Sequence, residues 1–171
     1  MKLKTAIILT IIAIVMQPLF LSMLPEAMAP NLGFCILIVC VASMDERLAI
    51  IPLMIVTITS LFIDLFSNQF VGAVAISMLL VAIVAFLVRR HLDLENPIYL
   101  LGFALGTHIL YEIVYWVIYR IMGTPYGFLY MLKNIPAGIF VDVVVTFIGL
   151  FFAGRQLGKL RRESYFKEMK L

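Results

Sequence analysis

Apolar residues run through this chain in about six long blocks, each closed by a short polar break. The blocks are continuous rather than alternating, and they are longer than the ~10-residue strands of a membrane barrel, so the pattern predicts helices. They cover about residues 5–24, 31–44, 48–66, 70–88, 98–119 and 135–154. The second is short for a crossing: either it extends to about 29–45, or it is partly re-entrant. A bilayer core of roughly 30 Å takes ~20 apolar residues per helix. The expected fold is all-α: one polytopic membrane domain over residues 1–171, a bundle of about six transmembrane helices followed by a basic tail at 155–171.

Composition supports that choice of solvent. The chain is 64% hydrophobic and 13% charged over 171 residues. A water-soluble domain of this size leaves a large share of its surface exposed and could not hide so much apolar area. The first block, with Lys2 and Lys4 before it and Ala27-Met28-Ala29 after it, resembles a secretory signal. Its apolar stretch is longer than the ~7–15 residues of a signal core. Proline at position 30 also suits cleavage poorly, so a retained helix is expected. The basic tail has too little around it to form a nucleic-acid-binding domain.

Lysine and arginine positions then set an expected orientation. With six crossings, Lys2, Lys4, Arg47, Arg89, Arg90, Arg155, Lys159, Arg161, Arg162, Lys167 and Lys170 fall on one side. Arg120 and Lys133 fall on the other. The first group marks the cytoplasmic side and holds both termini; the connections at 25–30, 67–69 and 120–134 face outward. Contact of the tail with anionic lipid head groups is expected.

Ionisable groups inside such blocks are costly, and each calls for a reason. Asp64, Glu112, Asp142 and His108 qualify, and the three acids lie in the outer half under this orientation. His108, Glu112, Trp116 and Arg120 recur every four residues and share one helix face, beside a stripe of Tyr111, Tyr115 and Tyr119. Gly102 and Gly106 form a small-xxx-small pair that lets another backbone approach. Three readings stay open: a polar pocket or proton relay between helices three, five and six; ion pairs of Glu112 or Asp142 with Arg120 or Lys133; and a docking surface for a partner's helix. The outer loop carries Tyr126, Phe128 and Tyr130 among glycine and proline, suited to the outer leaflet or to another protein. Cys35 and Cys40 read as small buried hydrophobes. No nucleophile–base–orienter set, phosphate loop or metal-ligand cluster stands out, so no enzyme, cofactor or metal is expected.

Helices two to four carry a pattern similar to the rod shape-determining protein MreD family. Pro30-Asn31 opens an apolar run. Ser60-Leu61-Phe62-Ile63-Asp64-Leu65-Phe66 resembles the family's small-x-x-x-Asp-Leu-x segment, with Ser60 where glycine is more usual. Gly72 then opens the next helix, and Gln17-Pro18 resembles the family's polar break in helix one. The motif-level likeness spans about residues 17–90, and the length, span count and basic tail fit along the whole chain. The resemblance implies a non-enzymatic subunit of the bacterial cell-elongation machinery in the inner membrane. It implies binding to the bitopic partner MreC, and through it a link between the MreB filament and the peptidoglycan synthase pair, a RodA-like glycosyltransferase and a class B penicillin-binding protein. Asp64, matching the family's acid and sharing a face with Ser60 and Thr57, is expected to cap or bridge the turn at 67–69 or to pair with a neighbour's basic group. The alternative is the vitamin-binding subunit of an energy-coupling-factor transporter, similar in size and span number. Helix one, however, lacks that family's Ala-x-x-x-Ala docking face: Ala6 and Ala13 are seven apart.

Overall fold

The computed structural model describes residues 3–23, 30–44, 46–66, 71–89, 91–92, 96–123 and 139–153. Within them the chain is all-helical, with no strand. The helices are α1 (Leu3–Met23), α2 (Leu32–Ser43), α3 (Glu46–Phe66), α4 (Ala73–Arg89), α5 (Pro97–Ile121) and α6 (Ile139–Ala153). Two segments, Leu3–Phe20 and Pro97–Ile121, are long and apolar enough to cross a membrane. Shorter apolar helical stretches lie at Leu32–Ser43, Ile50–Leu61, Ala73–Arg89 and Ile139–Ala153. The outer-loop residues Tyr126, Phe128 and Tyr130, Lys133 and the tail 155–171 lie outside the described residues.

The helices are built as apolar blocks rather than as two-faced ones, and packing decides which side turns inward. α2 is the hub. Its 12 residues rise about 18 Å, well short of a bilayer core. Phe34, Cys35, Leu37, Ile38, Val39, Cys40, Val41 and Ser43 are all buried, which is nearly every side of the helix. α1, α3 and α4 pack directly on it. α5 reaches it through Tyr111, stacked on Phe34 at 4.5 Å. α6 reaches it at Gly149, where an added Cβ would stand 2.7 Å from a Val39 methyl. Two helices can approach this closely only if one presents bare backbone.

Outside this centre the large side chains point away from the protein. Ile8, Val15, Met54, Ile58, Ile83, Leu87, Ile98, Phe140 and Phe152 are all exposed. Contiguous apolar exposure on every long helix is what a lipid-facing surface requires and what water penalises. Five buried hydroxyls are settled within their own helices. Thr10, Ser43, Ser60, Ser77 and Thr107 each donate to the carbonyl four residues earlier, at 2.6–2.9 Å. This local bonding lets a hydroxyl sit in an apolar interior without a distant partner.

Candidate functional site

The four ionisable groups expected inside the helices do not form one cluster. Asp64 stands apart from the other three and serves the turn into α4. Its Oδ2 accepts the backbone N–H groups of Gly72 at 3.0 Å and Val74 at 3.1 Å. These donors lie at the start of α4, one just before it and one in its first turn, where N–H groups have no earlier helical carbonyls to bond. Gly72 has φ +89°, a left-handed conformation that glycine adopts without the Cβ penalty of other residues. The acid and the glycine eight residues on are thus two parts of one joint. Ser60 does not share it: its hydroxyl donates to Val56 O and approaches the Met78 sulfur at 3.1 Å. The Thr57 Oγ1 is buried without a hydrogen-bond partner. Any bridge to residues 67–69 lies outside the described residues.

The second site is assembled from four helices around the start of α2. Asn31 caps α2, its side chain accepting from Phe34 N at 3.1 Å. Its own backbone N–H donates to Asp142 Oδ1 of α6 at 2.8 Å, and the next N–H, of Leu32, donates to Gln17 Oε1 of α1 at 2.8 Å. Gln17 lies six residues before the end of α1, so α2 begins about 9 Å below that end. The first N–H groups of a helix have no carbonyl of their own helix to bond, and side chains of distant helices take that place here. The carboxylate also suits the positive end of the α2 dipole.

His108 of α5 completes the junction. Its Nε2 lies 2.8 Å from Thr146 Oγ1, and its Nδ1 lies 3.7 Å from Asp142 Oδ2. A neutral ring with its proton on Nδ1 would point that proton at the carboxylate and accept the Thr146 hydroxyl proton at Nε2. The ring meets Phe34 edge-on at 5.0 Å. Cys35 directs its thiol at Asp142, 3.6 Å from the backbone carbonyl and 3.7 Å from Oδ1. Thr, His and Asp occur here in the order of a hydrolytic triad. Yet Thr146 is 0% and His108 1% exposed, so no substrate reaches the hydroxyl in this arrangement. What the junction does is mechanical: it ties α1, α2, α5 and α6 together at one depth.

The expected relay between helices three, five and six is therefore corrected in its members. Among the described residues α3 supplies no hydrogen bond to the junction; α1 and α2 do, through Gln17 and Asn31. The expected ion pair of Asp142 with Arg120 is not formed: its carboxylate meets Asn31, Cys35 and His108. The backbone N–H of Asn31, at the start of α2, holds the carboxylate instead. Glu112 is half-buried, and among the described residues its carboxylate has no hydrogen-bond or ion-pair partner; the charge acting on it is the like-signed Asp142. Arg120 is exposed near the C-terminal end of α5.

Sequence reasoning singled out neither Thr146 nor Gly149, nor the second polar cap of α2. At its other end Arg89 of α4 donates from Nη1 to the carbonyls of Val41 and Met44, while its guanidinium lies 4.7 Å over the Phe86 ring. These carbonyls belong to the last turn of α2 and just beyond, where a cation is favoured. The run of aromatic residues, by contrast, was readable: Tyr111, Tyr115 and Tyr119 follow Phe34 in a column, with successive ring centroids 4.5, 5.9 and 4.4 Å apart.

Gly102 and Gly106 do not pack inside the molecule. Both are exposed, and a Cβ added to either would meet nothing within 4 Å. They border an apolar groove of about 500 Å³ between α4 and α5, whose lining includes Val84, Val88, Ile98 and Phe103. No family model, curated protein or solved structure matches this chain.

Proposed function

We propose that this chain is a non-enzymatic, multi-pass scaffold subunit of a bacterial inner membrane, of the MreD kind. In this reading it crosses six times with both termini in the cytoplasm and binds an MreC-like bitopic protein. That partner joins it to the MreB-type filament and to the RodA-like and penicillin-binding synthases of rod-shaped growth.

One observation carries the proposal. The polar side chains of Asp64, His108, Asp142 and Thr146 are turned inward and spent on joining helices, while the exposed positions along the middle of the described helices are mostly apolar side chains and bare glycine. A molecule of this kind meets others through its helix faces. The joint between Asp64 and Gly72 lends support too, because it gives a physical reason for an acid and a glycine to stand at that spacing, as they do in the pattern resembled. The bias of basic residues supports six crossings, and the short α2 is accommodated because its ends are capped by protein rather than by water.

The test is co-purification. A tag on the C-terminus should recover the bitopic partner from native membranes in gentle detergent, and a reporter fused to that terminus should read as cytoplasmic. Recovery of an intact helical protein that never carries the bitopic partner would overturn the proposal. Retention of a bound vitamin through purification would favour the transporter reading instead.

A further inference from the structure

We infer that His108 and Asp142 form a binding site for one proton inside the bundle, and that filling it draws α6 toward α5. The inference goes beyond the scaffold reading and does not depend on it.

Four side chains set the direction of the hydrogen bonds. Cys35 aims its thiol proton at Asp142, at the backbone carbonyl and at Oδ1. Its sulfur is then left to accept, and the partner on that side is the Thr146 hydroxyl. With its proton committed to the sulfur, Thr146 Oγ1 accepts from His108 Nε2, 2.8 Å away. A neutral imidazole has a single ring proton. Spent on Nε2, it leaves Nδ1 a bare acceptor, facing Asp142 Oδ2 at 3.7 Å.

The length of that contact agrees. An Nδ1–H aimed at a carboxylate makes a charge-assisted bond of about 2.7–2.9 Å. At 3.7 Å the two atoms stand too far apart for that bond, as two acceptors do with no proton between them. Among the described residues Oδ2 has no other polar partner, since Asn31 and Cys35 both bond Oδ1.

A proton delivered by hydronium from the aqueous phase binds Oδ2, releases water and is donated to Nδ1. No other bond in the junction has to break. The pair passes from one negative charge to none, and the proton belongs to the pair rather than to either residue. A hydrogen bond of ordinary length shortens the contact by roughly 0.7–1 Å. The two residues sit on different helices, so that shortening is a movement of α6 toward α5.

The surroundings favour filling. Glu112, one turn beyond His108, puts a like charge near the Asp142 carboxylate. The His108 side chain is 1% exposed and that of Asp142 13%, so the proton arrives on the carboxylate side. Among the described residues, the other titratable groups here are Cys35 of α2 and Tyr111 of α5, both buried. From α1 the junction receives the neutral Gln17. Asp64 of α3 is bound to Gly72 and Val74, and Arg89 of α4 to the far end of α2.

The experiment follows the His108 ring nitrogens by NMR in the full chain, labelled with nitrogen-15 at histidine and held in lipid nanodiscs. His91→Gln removes the other histidine, which is exposed and lies outside the junction. The sample is acidified from about pH 8 to 5, the range in which histidine sites change charge. Nε2 should carry a proton throughout, and Nδ1 should pass in one step from an unbonded acceptor to a hydrogen-bonded nitrogen. Asp142→Asn places a permanent N–H donor against Nδ1, so its signal should stay bonded and no longer follow pH. Glu112→Gln removes the repelling charge and should move the step to lower pH by on the order of half a unit. Thr146→Val, close in shape, takes away the acceptor of Nε2 and should send the ring proton to Nδ1 at alkaline pH. A proton on Nδ1 at the alkaline end without these substitutions, a ring unchanged across the range, or a step that persists in Asp142→Asn would each overturn the inference. None of these readings involves the bitopic partner, so its recovery tests the scaffold reading separately.

Discussion

Asp64 and Asp142 do the same chemistry at two places. Each is a carboxylate in an apolar helix, and each accepts backbone N–H groups at the start of another helix. They differ in reach. Asp64 bonds residues eight and ten positions away, across one turn. Asp142 bonds Asn31, 111 positions away, from the last helix described to the second. The near cap shapes a hairpin between two helices that are neighbours anyway. The far cap closes the bundle, because breaking it removes the hydrogen bond from α2 to the α6 carboxylate and leaves His108 without its carboxylate. The same interaction is thus a local device in one case and a global one in the other.

The strongest way to break the comparison is to remove the far acid. Asp142→Ala leaves the Asn31 N–H and a ring nitrogen of His108 unpaired in a dry interior, and a loss on the order of 3 kcal/mol is expected. Asp142→Asn keeps an acceptor and should lose less. Denaturant titration in mixed micelles measures both, and equal losses would mean that the carboxylate is not acting as the cap.

Next comes the crossing that brings α6 to α2. Gly149→Ala forces the helices apart at Val39, with an expected cost of about 2 kcal/mol. Adding Val39→Ala should recover part of it, and failure to do so would show that the two residues are not in contact.

The near cap should be cheaper to lose. Asp64→Ala is expected to cost about 1 kcal/mol, as for other capping side chains. Gly72→Ala should cost a similar amount, through its φ of +89° rather than through crowding, because the nearest atoms lie 3.6 and 3.7 Å from an added Cβ. If the two act in one joint, the double substitution costs less than the sum of the singles. Protease sensitivity of the α3–α4 connection provides a local readout, which Asp142→Ala should move only along with global unfolding.

The smallest effect sharpens the contrast between glycines. Gly102→Ala should change the stability of the isolated chain by less than about 0.5 kcal/mol, or raise it, since the site is open and alanine favours helix. A loss as large as that at Gly149 would show that α5 packs internally on this face.

Much of the fold was legible along the chain because its information is local. Continuous apolar runs of this length specify helices in any arrangement, and all six expected runs contain one. The boundaries moved by a few residues, α4 starting at Ala73 after the turn at Val71 and Gly72. The brevity of α2 was visible too, as was the tyrosine column, since both follow from spacing. The Asp64–Gly72 joint was half legible: the acid and a capping role follow from its place at the end of a run, and the donors among the described residues are the N–H groups of Gly72 and Val74.

The sequence alone determined that this protein is built of apolar helices and that a few polar groups within them would need partners. Helical period and hydropathy are properties of adjacent residues, so no partner element is required to read them. Only the tertiary structure decided that Asp142 and Gln17 receive the N–H groups of α2, that Thr146 bonds His108, and that Gly149 packs inside while Gly102 and Gly106 look out. These helices are apolar on almost every side, so periodicity does not say which face turns inward. The choice is made by where three-dimensional packing sets the unsatisfied end of α2, and that is a property of the whole bundle.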